Sequence, residues 1–194
     1  LTAVVAAPSL ALTASGDGLL RLWDLGVAAG YEGSGDVAPR LLNLLAGHEA
    51  AVVTICADFA SLRALSASRD GTLRLWDLAR LACSAVLAPR VGPISAAAAD
   101  FVQDLAVSCG EREVAVRVWN LEQHTCVARL GGHLGAVHGV ALGSHGQALS
   151  CSADKTLRVW SGLSAVSEGV GACSAVLAGH SSAVRVVVQD FQRS

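Results

Sequence analysis

With 194 residues, 53% of them hydrophobic and only 15% charged, the chain is long and apolar enough to bury a sizeable core, which excludes intrinsic disorder. A formal net charge of −2 makes no electrostatic case for binding nucleic acid or an anionic membrane surface. No run is both apolar and long enough to be expected to span a bilayer.

The chain opens at Leu1 and contains no methionine, so it reads as a segment of a longer protein. Its Ala-rich opening, residues 1–14, has the apolarity of an export signal, but no basic residue precedes it and it carries Pro8. Residues 1–23 overlay residues 54–76 without a gap, which makes the opening a folded repeat rather than a leader. The repeat itself runs over residues 13–24, 66–77 and 150–161, with a looser copy at 108–120. Each copy sets an acidic residue six positions before a tryptophan: Asp17 and Trp23, Asp70 and Trp76, Glu113 and Trp119, Asp154 and Trp160. All four tryptophans of the chain are used this way.

A Gly-His pair precedes these copies, at Gly47-His48 and Gly132-His133, and recurs at Gly179-His180; Arg90 stands at the degenerate fourth position. Between landmarks the texture is β-rich and broken by Gly, Pro, Asp and Ser. Residues 52–57, 62–66, 72–76 and 83–87 read as four successive strands, and no stretch sustains a 3.6-residue period, so helix should be nearly absent. Two Gly-rich insertions, residues 26–40 (with the sole tyrosine, Tyr31) and 161–172, fall between third and fourth strands. Both should emerge on one face as mobile loops. Residues 183–189 read as one further first strand.

The six cysteines form no C-x-x-C pair. Cys83, Cys126 and Cys173 share one repeat position, and Cys56, Cys109 and Cys151 sit in apolar runs; all read as small buried side chains in a reducing compartment, not as disulfides or metal ligands. Arg21, Arg74, Arg117 and Arg158 each lie two residues before a tryptophan. They read as half-buried strand residues with wet heads rather than as an anion site. Asp58-Phe59, Asp100-Phe101 and Asp190-Phe191 recur at the end of the first strand, where a packed aromatic beside a turn is expected. His124, His138 and His145 are scattered, without metal-site spacing, and read as exposed.

The Gly-His pairs, the Trp-Asp pairs at Trp23-Asp24 and Trp76-Asp77, and the period of about 40–45 residues resemble the WD-repeat β-propeller family. Trp119-Asn120, Trp160-Ser161 and Arg90 depart from the pattern. The resemblance implies an all-β propeller of four four-stranded antiparallel blades plus one extra strand, as an open arc of a larger, seven-bladed ring. The blades would lie at about 1–46, 47–88, 89–131 and 132–178, with a fifth beginning at 179–194.

The resemblance also implies a chain of hydrogen bonds from Trp to Ser, Ser to His and His to Asp. The complete sets would be His48, Ser66, Asp70, Trp76 and His133, Ser150, Asp154, Trp160; Thr13, Asp17, Trp23 and Ser108, Glu113, Trp119 would form incomplete ones. The residue types suit the task. Indole donates one hydrogen bond and accepts none, a hydroxyl does both, and imidazole bridges a hydroxyl to a carboxylate that fixes its tautomer. A hydrolase triad is the rival reading of Ser, His and Asp. It fails because the set repeats, because a Trp occupies the hydroxyl, and because no Gly-x-Ser-x-Gly elbow surrounds Ser66 or Ser150.

By the same resemblance the face of the histidine loops and Asp turns receives partners, with Arg69, Arg112, His138 and Arg185 the candidate contacts. The implied function is a non-catalytic protein–protein interaction scaffold that needs no cofactor or metal. The alternative is a recognition module of a larger multidomain protein, such as a ubiquitin-ligase adaptor, a kinase or a nucleotide-binding protein. Partners would be proteins or peptides, further blades, or a second copy through open blade edges. The expected location is cytoplasmic or nuclear.

Overall fold

A computed structural model of the chain describes residues 1–26, 38–88, 92–163 and 171–186. Sixteen strands among these residues form four antiparallel sheets of four, each a simple meander in chain order. The first sheet holds β1 (Ala3–Ala6), β2 (Leu10–Ala14), β3 (Leu20–Asp24) and β4 (Arg40–Leu45). The second holds β5 (Val52–Asp58), β6 (Arg63–Ser68), β7 (Leu73–Asp77) and β8 (Ala82–Leu87). The third holds β9 (Ile94–Asp100), β10 (Leu105–Gly110), β11 (Val116–Asn120) and β12 (Thr125–Leu130). The fourth holds β13 (Val137–Leu142), β14 (Ala148–Ser152), β15 (Leu157–Ser161) and β16 (Ala172–Leu177). A single 3₁₀ turn, Ser144–Gly146, is the only helical element described. The fold is therefore all-β, built of four-stranded blades.

Strand alternation explains why both faces of a blade are buried. In β7, Arg74 and Trp76 point to one side while Leu73 and Leu75 point to the other. Trp76 and Ala64 join Leu12, Leu20, Leu22 and Leu45 of the first sheet in one core. Leu65, Leu73, Leu75 and Leu87 join Trp119 and Ala106 of the third sheet in the next. Trp160 and Val140 meet Val107, Val116, Val118 and Leu130 in the last. Each of these tryptophans thus seals its own blade onto the preceding one. Burying such an indole stabilises the seam by roughly 4–6 kcal/mol.

The pairing of third and fourth strands shifts register at every tryptophan: Leu22/Trp23, Leu75/Trp76, Val118/Trp119 and Val159/Trp160. A bulge re-aims the side chains around it. Backbone bonds add to the seams, with Val52 N–H donating to Ser15 O at 3.3 Å and Val137 N–H to Glu113 O at 2.8 Å. Val184 N–H donates to Ser152 O at 3.1 Å, the place where Val52 meets the first sheet.

The outermost faces differ. Leu12, Leu65 and Val107 are at most 1% exposed, whereas Leu149, at the same strand position, is half-buried; Leu177, in register with Leu45, Leu87 and Leu130, is 49% exposed. Trp23 is likewise only half-buried.

Several expectations need correction. Arg117 is not a half-buried residue with a wet head but is buried and ion-paired. Cys126 is exposed, and of the six thiols, all free, only Cys109 and Cys151 are fully buried. His138 is half-buried rather than exposed. Residues 183–186 form no strand; 187–189, Arg90, Tyr31, Asp190-Phe191 and most of both insertions lie outside the described residues.

Candidate functional site

Blade geometry sets the positions of the recurring polar residues. β6 and β7 pair Ser66 opposite Arg74, which puts Trp76 diagonally across on the same face. Trp76 Nε1–H donates to Ser66 Oγ at 2.8 Å, and His48 Nε2 lies 2.7 Å from the same hydroxyl. His48 Nδ1 is 2.7 Å from Asp70 Oδ2. The fourth blade repeats the arrangement: Trp160 to Ser150 at 2.8 Å, Ser150 to His133 at 2.8 Å, His133 to Asp154 at 2.8 Å. The indole takes one lone pair of the hydroxyl, so the hydroxyl proton points to Nε2 and Nδ1–H faces the carboxylate. Burial lowers the pKa of His48, and the opposing pull of Asp70 does not restore it, which keeps the ring neutral in this tautomer.

Burial alone would raise the Asp70 carboxyl, but the hydroxyl of Thr72, His48 and the backbone N–H groups of Thr72 and Glu49 outweigh it and hold the group below the carboxylate range. Asp154 is held low in the same way by Thr156, Leu134 and His133. Thr72 and Thr156 are members that sequence reasoning missed. Their hydroxyls donate to Asp70 and Asp154 at 2.7 and 2.6 Å. The signal was present: Asp-x-Thr occurs in the two blades that carry the histidine, and not at Asp17 or Glu113. Ser68 and Ser152 were also missed; each accepts from the Asp N–H at 3.1 Å and donates to the histidine loop.

In the other two blades only half of the set assembles. Trp23 donates to Thr13 and Trp119 to Ser108, each at 2.9 Å. Their acidic residues turn to arginine instead. Asp17 pairs with Arg21 at 2.8 Å and is lowered to about 2 by that bond, and Glu113 pairs with Arg117 at 2.7 Å. Where a histidine loop is present, the arginine is displaced to a different task. Arg74 Nη1 lies against Cys83 Sγ at 3.8 Å and Arg158 Nη1 against Cys173 Sγ at 3.5 Å. A Cβ on Gly47 or Gly132 would sit 2.7 Å from those guanidinium nitrogens, and Gly132, at φ +142°, also has a backbone that favours glycine.

None of this is catalytic geometry. Ser66 and Ser150 have no exposed surface, so neither hydroxyl reaches a substrate. Cys56 and Cys109 are pushed up to about 11 by burial and stay protonated. Among the described residues no cluster of His, Cys, Asp and Glu could hold a metal ion.

The buried network has one outward consequence. It locks the histidine loop to the Asp turn, so that Arg69 N–H reaches Ala51 O at 2.9 Å and Ala153 N–H reaches Ala136 O at 2.9 Å. Arg69 is exposed in such a turn, Arg112 is exposed in the Glu113 turn of the third blade, Arg185 is exposed beside Val184, and His138 is half-buried on β13. Arg69 approaches Glu111 of the next blade at 3.7 Å. Leu134, beside His133, is 91% exposed at the same end and carries no sequence mark that would single it out.

Four-stranded meanders sealed by a tryptophan and tied by an indole–hydroxyl–imidazole–carboxylate chain define a β-propeller of repeated blades. A family model described as "WD domain, G-beta repeat" matches residues 39–77 and 124–161. The chain belongs to the WD-repeat family. It is similar to pre-mRNA-processing factor 19 homolog 2 of Arabidopsis thaliana, 29% identical over 156 residues that cover 78% of this chain and 27% of that protein. Nuclear distribution protein PAC1-2 of Uncinocarpus reesii is 31% identical over 179 residues, 78% of this chain and 35% of that protein. Pre-mRNA-processing factor 17 of Mus musculus is 30% identical over 154 residues, 78% of this chain and 25% of that protein. The chain therefore spans between a quarter and about a third of the length of these relatives.

Proposed function

We propose that this chain is a non-catalytic protein–protein interaction scaffold, and that the end of the blades carrying the histidine loops and Asp turns receives the partner. The observation that carries this reading is the use of the polar machinery. Both complete Ser-His-Asp sets are consumed inside their blades, where they hold the loop and turn beside Arg69 and Leu134; Arg112 and Arg185 are exposed, and His138 is half-buried on β13. Exposed arginines on a fixed backbone suit bidentate recognition of carboxylates. Leu134 supplies an exposed apolar contact at this end. The partner is accordingly a protein surface with acidic residues around a small apolar site.

The names of the relatives, which refer to pre-mRNA processing and nuclear distribution, support work inside the cell, as does a set of six free thiols. A second reading, a recognition module within a larger multidomain protein, is favoured by the quarter to a third of each relative that the chain spans.

Quantitative affinity capture with the wild-type chain and with the charge-reversed set Arg69→Glu, Arg112→Glu and Arg185→Glu tests the assignment. The reading expects the captured partners to fall away while the melting temperature stays unchanged. Equal capture by both chains removes this face from consideration.

A further inference from the structure

Each seam between blades is made by the same two surfaces. One is a plug of four apolar residues, as with Leu65, Leu73, Leu75 and Leu87 of the second blade, each at most 4% exposed. The other is a triad on the opposite face of the following blade. Ile55, Ala64 and Trp76 cover the first blade, and Val140, Ala148 and Trp160 cover the third. One copy of each surface is left open. On the fourth blade the plug is Leu149, Leu157, Val159 and Leu177; three are half-buried and Leu177 is 49% exposed. On the first blade the triad is Val4, Ala11 and Trp23. Register fixes it: Val4 pairs with Thr13 as Ile55 pairs with Ser66, and Ala11 with Trp23 as Ala64 with Trp76. Val4 is 60% exposed where Ile55 is 8%.

The polar network is split in the same way. His180 precedes Val184 by four residues, as His48 precedes Val52. Val184 N–H meets Ser152 O at 3.1 Å where Val52 N–H meets Ser15 O at 3.3 Å. A histidine loop is therefore in place on the fourth blade, yet His180 is exposed and has no hydrogen-bond partner among the described residues. The first blade holds the complementary part. Thr13 accepts from Trp23 at 2.9 Å and Asp17 stands in the turn, with no histidine in residues 1–16.

We propose that two copies of this chain associate head to tail, with Val4, Ala11 and Trp23 of each sealing the open plug on the fourth blade of the other. The contact continues a seam that the chain already builds between its own blades. It also delivers His180 of one copy beside Thr13 and Asp17 of its partner, which completes the set that the first blade lacks. Contacts between unlike faces close into a ring when the rotation allows it. Two copies of four blades make eight, within the usual four to eight of a closed propeller, and a third copy would exceed it.

Sedimentation equilibrium on the 194-residue chain should show a concentration-dependent species of about 39 kDa, twice 19.7 kDa. Leu177→Glu and Val4→Glu alter side chains outside the core, and each removes one surface from both seams, so each should give a folded monomer. Mixed in equal amounts the two variants should associate again, because their intact faces meet in one seam. Copies joined through like faces would respond to one variant and not to the other. His180→Ala should weaken association about tenfold, the size of one lost hydrogen bond to a carboxylate. Arg69→Glu, at the partner-binding end, should leave association unchanged, which separates this contact from the scaffold face. A mass that stays at 19.7 kDa up to about 100 μM overturns the proposal and leaves both faces to further blades. So does wild-type association by either single variant, failure of the mixture to recover, or indifference to His180→Ala.

Discussion

Arg117 Nη2 donates to Glu113 Oε1 at 2.7 Å, and each side chain keeps only about a tenth of its surface in water, at 9% and 10%. This ion pair lies where two other blades set an Asp against a histidine. The third blade thus satisfies its acidic turn from within its own strand β11 and not from an upstream loop. Removing one member leaves a buried charge behind, which costs far more than the pair contributes. Glu113→Leu should lower unfolding stability by about 3 kcal/mol, while Glu113→Leu with Arg117→Met should return to within about 1 kcal/mol of wild type. Urea titrations decide it, and a single variant as stable as wild type shows that the pair is solvated.

Ser66 Oγ serves two partners at once. Ser66→Ala strands the indole N–H of Trp76 and Nε2 of His48, so a loss of about 2–3 kcal/mol is expected. Ser66→Thr should cost less than about 1 kcal/mol, because Thr13 already accepts from Trp23 in the same role at 2.9 Å. Thermal melts of the two variants side by side check the ordering; equal losses would sink it.

Thr72 reaches Asp70 Oδ1 with its hydroxyl and, through its backbone, with its N–H at 2.8 Å. Thr72→Val removes the first bond and leaves the second. Stability should fall by about 1 kcal/mol, and the Asp70 carboxyl should titrate at higher pH than in wild type. Carboxyl-carbon NMR follows the titration directly, and an unmoved Asp70 resonance would refute the role given to the hydroxyl.

The fold should weaken in two stages on acidification. The folded pKa of His48 lies below its ordinary 6.5, so between the two values the unfolded chain holds a proton that the folded chain lacks. Stability therefore falls as pH drops through 6.5 and levels off below the folded value. Asp70 is depressed below its ordinary 3.8, so the unfolded chain again protonates first and a second loss sets in as pH falls through that region. Denaturant midpoints across the acid range test this. In His48→Gln the upper stage should shrink, and an unchanged profile rules out the histidine as its source.

The repeat was legible because the interactions that specify a blade are short in sequence. Ser66 and Trp76 face each other across one hairpin, and the Asp turn lies between them. Thr72 escaped notice although Asp-x-Thr was visible, because a threonine at the start of a strand needs no explanation beyond β-propensity. Of the arginines before the tryptophans only Arg117 departs from the expected half-buried state, because a local ion pair lets it be buried. Arg117 is buried by its ion pair with Glu113, and Arg74 is covered by Gly47 of an upstream loop. Leu134 bears no periodic mark at all.

The sequence by itself determined the meander, the position of each bulge-bearing tryptophan and which blades carry a histidine, since each follows from strand alternation and from residues within one period. The tertiary structure alone decided which faces are buried and which groups stay wet. Leu65 and Leu149 hold the same place in their blades, yet Leu65 is sealed by a neighbouring blade while Leu149 is half-buried. Burial depends on what packs against a surface, and no local pattern encodes that.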